Sequence, residues 1–197
     1  MSQRAVDGLF LGLDDLRFEV RFHCGRSLAA IVEKNPRVRI DKARVLDVVG
    51  REVAVGRPVW EGRQLLDGVA DASDGRSFLE ELVSDRANQS LAHVFTLLSL
   101  VLPTEPMRIA FGALHTTDQG LRGTALEYLD GVLPSDIRER LWPFLEDRRE
   151  TRDAPRARDT VVAELLQANQ SIMLNLEELK RRAGAGGTAA PQSDPPR

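Results

Sequence analysis

The sequence predicts an all-α fold, and three features carry that expectation. Apolar residues recur at steps of three and four along most of the first 146 positions. Short turns bearing Asp or Pro separate these runs, as helix starts and stops require. The stretch from Asn88 to Asp147 reads as successive short amphipathic helices joined by turns of this kind.

Near the start, Ala5, Val6, Leu9, Phe10 and Leu13 follow helical spacing, and Asp14-Asp15 offers a turn and an N-terminal cap for the next helix. That second helix, roughly Arg17 to Glu33, stops ahead of Asn35-Pro36, because proline disfavours helix in the residue before it. Its small residues Cys24, Gly25 and Ser27 let another helix approach closely. Asp41 caps a segment in which Val45, Val49 and Val53 lie one turn apart. Its valines, with Gly50 and Gly56, also suit a strand, and between the two helix is the expectation for residues 45–55. Gly56 and Pro58 are expected to kink or break this helix before Trp60 to Val69, since proline removes a donor and crowds the preceding turn.

Residues 71–77 read as a polar loop. A helix from near Phe78 to Leu102 follows, with Phe78, Leu82, Leu91, Val94, Phe95 and Leu98 on its inner face. Pro103 and Pro106 close it and open the next, Pro106 to Leu114. Thr117-Asp118 caps a helix from Gln119 to Leu133, and Pro134-Ser135-Asp136 starts another through Phe144. The organisation expected is a helical domain over 1–146, a charged linker over 147–158, an amphipathic helix over 159–182 and a disordered tail over 183–197 rich in Gly, Ala and Pro. In the third of these, Val162, Leu165, Asn169, Ile172, Leu176 and Leu179 form a heptad seam, with Leu166 and Met173 widening it. Two uses are open to it: a helix that folds back to cap the domain, or a short coiled coil joining a homodimer through Asn169, which fixes register.

Composition narrows the partners. A formal charge of -3 on 197 residues, with 29% charged and 42% apolar, is ordinary for a globular chain and argues against a general polyanion binder. Cys24 is the single cysteine, so no internal disulfide can form and a reducing compartment is expected. The first residues do not read as a signal peptide, and the most apolar run, Leu91 to Leu102, is too short to span a bilayer, so a cytoplasmic protein is expected. The first hairpin begins within a few residues of Met1 with no polar repeat ahead of it, so its outer face is expected to be open.

Two helices share a pattern. Val20-Arg21, Cys24 and Leu28 follow Asp14-Asp15, while Leu121-Arg122, Ala125-Leu126 and Leu129 follow Asp118. This resembles the HEAT repeat, in which a helix, an Asp-bearing turn and a second helix opening with Val-Arg stack into an α-solenoid. Such stacking is needed because one hairpin alone cannot bury its apolar face. The resemblance covers most of Ala5 to Leu145 and is tidiest around Val20 and Leu121; the region from Lys42 to Ser90 departs from it in helix length and glycines. It implies that Arg21 and Arg122 join Asp residues in a ladder between neighbouring turns. More narrowly, AHVFTLLSLVLPTEPMRIAFGAL and LRGTALEYLDGVLP are similar to the cytosolic HEAT-containing region of some bacterial ATP:ADP antiporter-like proteins, which implies a soluble appendage of a membrane-associated system.

Nothing in the sequence composes an active site. His23 and Cys24 are adjacent on a helix, so their side chains diverge by about 100° and cannot pair as base and nucleophile; packing is the expected role of both. His93 lies in an apolar helix and His115 at a helix end, with no metal-ligand spacing around either. Asp14-Asp15 and Glu80-Glu81 suit a cap and a solvated face, and Gly184 to Gly187 lacks the strand and helix that frame a phosphate loop. No catalytic residue, cofactor or metal is expected. On residue type, Trp60, Arg138, Trp142 and Asn169 are the candidates for partner contact, although core packing competes for both tryptophans. The expectation is a non-enzymatic scaffold that binds another protein. The alternatives that the HEAT likeness implies are a nucleic-acid-binding protein using Arg148, Arg149, Arg152, Arg156 and Arg158, and a chromophore lyase.

Overall fold

The computed structural model describes residues 3–35, 37–69 and 78–146. Among these, the chain forms seven α-helices and no strand: α1 (Gln3–Gly12), α2 (Phe18–Lys34), α3 (Lys42–Val69), α4 (Phe78–Leu98), α5 (Thr104–Leu114), α6 (Gln119–Val132) and α7 (Ser135–Leu145). The expected loop at 71–77, the linker, the 159–182 helix with Asn169 and the tail lie outside the described residues.

Helix α1 turns Val6 and Phe10 inward and packs as a hairpin on α2, whose buried positions Phe18, Arg21, Gly25, Leu28 and Ile31 make one stripe at steps of three and four. Asp14-Asp15 does not cap α2 as expected. Its N-cap is Arg17, with no side-chain bond to the first turn. The Asp15 carboxylate accepts instead from the Arg17 amide at 2.8 Å and pairs with the Arg17 guanidinium, while Asp14 reaches across to Arg51 of α3. The two aspartates thus fix the turn and its attachment to α3, a role that their position before a helix does not reveal.

Residues 45–55 are helical. Val45, Val48, Val49, Val53, Val59 and Trp60 are buried along a single stripe of α3, and Asp41 accepts from the Ala43 amide at 3.0 Å. The expected break at Gly56 and Pro58 is absent, and α3 continues through Pro58 to Val69. Proline leaves the carbonyl four residues back, that of Ala54, without its helical donor, but Ala54 and Pro58 are both on the exposed side, where water can satisfy it. Gly56 is used differently: it is buried, and a Cβ there would meet the Ser90 hydroxyl and the Trp60 ring at 2.6 Å, so the glycine lets α4 close on α3.

Helix α4 is the centre of the fold and packs on α2, α3 and α5. Val94, Phe95 and Leu98 are buried as expected, and Leu91 is half-buried against the core. The helix ends one turn earlier than Leu102, in a tighter turn closed by bonds such as Leu100 N–H to the Leu97 carbonyl at 3.0 Å. Pro103 then starts α5, and Pro106 is tolerated there because first-turn amides have no helical acceptor to lose. In α6, Asp118 is a true N-cap, accepting from Gly120 and Leu121 amides at 2.9 and 3.1 Å. Asp118→Ala should lower stability by about 1 kcal/mol in urea unfolding, and an unchanged midpoint would count against this cap.

Helices α5 and α6 form a second hairpin, Arg122 of α6 donating to the Leu114 and Leu145 carbonyls. Helix α7 then returns to α3, where Gln64 donates to the Pro143 carbonyl at 2.9 Å and Phe144 meets Trp60 at 5.2 Å between ring centroids. A strict linear stack joins each hairpin only to its neighbours. Here α7 packs directly on a helix two hairpins earlier, which the length of α3, about 42 Å for 28 residues, makes possible.

Candidate functional site

Two features stand out once the helices are packed: a buried cluster of charged and aromatic groups, and an open groove beside α1. The cluster forms because each of three neighbouring helices carries a charge within its apolar stripe: Arg21 in α2, Glu52 in α3 and Arg86 in α4, all buried. Arg21 is fully engaged. Its Nε donates to Glu52 Oε1 at 2.5 Å and Nη2 to Oε2 at 3.3 Å, while Nη1 donates to the Asp15 and Leu16 carbonyls at 2.9 and 3.0 Å. One guanidinium therefore ties the end of the first hairpin turn to the middle of α3.

His93 of α4 completes the group and is 0% exposed. Its ring stands edge-on to Phe18 at 5.8 Å and tilted to Phe22 at 5.9 Å. Gly25 makes room for it, since a Cβ there would lie 2.7 Å from His93 Cε1. Neither ring nitrogen has a hydrogen-bond partner, and Nε2 is 3.9 Å from Glu52 Oε2, beyond hydrogen-bond range. Burial lowers its pKa from 6.5 to about 4, and the Arg21 and Arg86 charges push in the same direction, so the ring is neutral at pH 7. Arg86 lies 3.3 Å above the Phe18 ring centroid with Nε and Nη1 unpartnered, and burial lowers its pKa to about 10. Among the described residues the buried cluster holds two cations against one carboxylate, with a neutral histidine between aromatic rings.

This arrangement is poor at catalysis. Neither ring nitrogen of His93 has a hydroxyl or thiol within hydrogen-bond reach, and the neighbouring Arg21 and Arg86 charges oppose its taking a proton. The Cys24 thiol faces Gly12 of α1, and burial raises its pKa, which keeps it in the weakly nucleophilic protonated form. His23, expected to pack, is exposed because it lies on the opposite side of α2 from Phe18, Arg21, Gly25 and Leu28. His115 is exposed at the end of α5, its Nδ1 2.9 Å from the Phe111 carbonyl. Among the described residues no group of three or more His, Cys, Asp or Glu side chains is placed to hold a metal, and no helix is long and apolar enough to cross a membrane.

The candidates for partner contact are dispersed. Trp60 is buried between α4 and α7, its indole N–H donating to the Ala87 carbonyl at 3.2 Å, so its surface is already used by the core. Trp142 is half-buried and donates to Glu146 at 2.6 Å; Arg138 donates to the Asp130 carbonyl and carboxylate at 3.1 and 3.0 Å. These three are not gathered into one surface by any shared bond. Nor do Arg21 and Arg122 bond to aspartate carboxylates: Arg21 takes the Glu52 carboxylate and the Asp15 and Leu16 carbonyls, and Arg122 takes main-chain carbonyls.

The open surface is elsewhere. Between α1 and α2 runs a groove of about 520 Å³ walled by Ala5, Gly8, Leu9, Ser27, Ala30 and Ile31, with Lys34 and Asn35 at one end. It exists because the facing positions are small, so the two helices meet along one edge and leave a trough along the other. Leu11 of α1 is 69% exposed. No family model, curated protein or solved structure matches the chain.

Proposed function

We propose that this chain is a non-catalytic helical-repeat scaffold of the HEAT type that holds another protein, or a soluble regulatory appendage of that kind in a membrane-associated system, and that the α1–α2 groove is its docking face. The observation that carries the reading is the groove itself, an apolar trough walled largely by small residues. The repeat character is supported by a shared device. Arg21 and Arg122 each sit one turn into the second helix of a hairpin and each donates to carbonyls that precede that helix, Arg21 to Asp15 and Leu16 in the turn and Arg122 to Leu114 at the end of α5. The return of α7 to α3 sets this chain apart from a uniform stack.

Ala30 is exposed and lines the groove, so arginine there blocks the trough without entering the core. Affinity capture from the native cell should recover a specific partner with the wild-type chain and at least about tenfold less of it with Ala30→Arg. Equal recovery with both chains, or no specific protein with the wild type, would overturn the assignment.

A further inference from the structure

We infer that the face around the N-terminal half of α1 docks on an anionic lipid bilayer. Charge is the first observation. Residues 34–44 contain Lys34, Arg37, Arg39, Lys42 and Arg44 against Asp41 alone, on a chain whose formal charge is -3, so the acidic balance of the whole conceals a basic end. Packing gathers these cations around α1, which adds Arg4. Gln3 of α1 donates to the Arg39 carbonyl at 3.5 Å, the Arg44 guanidinium lies 4.5 Å from the Phe10 ring centroid, and Lys34 ends the groove walled by Ala5 and Leu9. Cations therefore flank α1 on the α2 side and on the α3 side.

These charges are free to act outward. Val38 and Ile40 pack against the core, which leaves Arg37 and Arg39 in solvent, and Arg4, Lys34, Lys42 and Arg44 are exposed as well. Among the described residues none of the six pairs with a carboxylate, whereas Arg17, Arg51, Arg57, Arg108 and Arg138 each do. The acids close by are Asp7, which accepts from Gln3 at 3.4 Å, Glu33, which is exposed, and Asp41, which accepts from the Ala43 and Arg44 amides at 3.0 and 3.5 Å. Six cations against three carboxylates leave this face positive.

The arrangement suits lipid headgroups better than a folded ligand. Side chains that read a fixed array of anions are locked by their neighbours, as Arg21 is, but here only Arg44 has a contact, with Phe10. Headgroups diffuse laterally and gather beneath cations, so they require no preset geometry. Between the two flanks α1 exposes Ala5 and Gly8, and a Cβ at Gly8 would meet nothing within 4 Å, so a flat surface can come close. Phe10, the aromatic residue of this face, is 4% exposed and offers no ring for stacking on nucleic-acid bases.

The test uses the full chain and sedimentation with vesicles, either of phosphatidylcholine alone or of equal parts phosphatidylcholine and phosphatidylserine. The protein should sediment with the second and not with the first. The Debye length falls from about 10 Å at 0.1 M salt to about 3 Å at 1 M, so raising salt over that range should release it. Arg37→Glu/Arg39→Glu should bind the anionic vesicles at least about tenfold more weakly, with an unchanged urea midpoint because neither side chain makes a bond. Arg57→Glu/Arg108→Glu changes the net charge equally on other faces and should bind as the wild type does. Absent or charge-independent vesicle binding would overturn the inference, as would equal loss in the two variants. Tighter binding to a short DNA duplex, abolished by Arg37→Glu/Arg39→Glu, would overturn it in favour of nucleic acid. The docking reading of the groove stands or falls separately, on partner loss with Ala30→Arg.

Discussion

Glu52→Ala should lower the stability of the fold by about 3–5 kcal/mol, the largest effect expected of any single substitution here. Among the described residues the carboxylate is the one buried anion beside Arg21 and Arg86, and it takes two of the four hydrogen bonds made by the Arg21 guanidinium. Alanine leaves Arg21 bonded only to the Asp15 and Leu16 carbonyls, with Nε and Nη2 facing apolar neighbours and a second cation. The cost is that of a stranded charge and not of a lost contact. Arg21→Met combined with Glu52→Leu should therefore be more stable than Glu52→Ala alone, because the double change removes the charge that the single change abandons. Urea unfolding of the three chains decides the matter: a loss under about 1 kcal/mol for Glu52→Ala would mean that Arg21 is solvated.

The same residues mark where sequence reading succeeded and where it stopped. Helix spacing placed α2, α5, α6 and α7 within a residue or two, because these helices are short and carry one apolar stripe each. The region from Lys42 to Val69 was harder. Its valines suit strand as well as helix, and only the packed structure shows that Pro58 sits where its missing donor is harmless. Asp118 and Asp14-Asp15 look alike in sequence, yet one caps a helix and the other grips Arg17 and Arg51. Whether an aspartate caps depends on which cations lie within reach.

The buried cluster is only faintly legible in the sequence. Glu52 interrupts a row of valines, Arg86 lies between Val83 and Ala87, and Arg21 stands in line with Phe18, Gly25 and Leu28. A charge at a stripe position in each of three helices, one acid among two bases, is what a buried ion pair leaves in a sequence. The groove left a fainter trace. Cys24, Gly25 and Ser27 announced close approach, but Gly25 admits His93 and Cys24 faces Gly12, while Ser27 borders open space. Small residues permit contact without specifying the neighbour.

Acid should weaken the fold through His93, with a direction fixed by its environment. The unfolded chain protonates this imidazole near pH 6.5, whereas the folded chain resists until about 4 because the ring is buried between Phe18 and Phe22 and faces Arg21 and Arg86, which outweigh the Glu52 carboxylate 3.9 Å away. Below pH 6.5 the unfolded state therefore binds the extra proton, so stability falls as pH drops and the decline levels out near pH 4. The separation of the two values corresponds to about 3 kcal/mol across that interval. Asp15 acts in a lower window: its pairing with Arg17 depresses its carboxyl, so its contribution is present above the ordinary carboxylate range and is lost only on further acidification. His93→Leu, close in volume and without a titrating group, should flatten the profile between pH 6.5 and 4 while leaving the lower limb intact. Urea midpoints measured across that range compare slopes and not absolute stabilities, so a packing defect introduced by leucine shifts both ends equally. A His93→Leu profile as steep as the wild type would place the acid sensitivity in some other group.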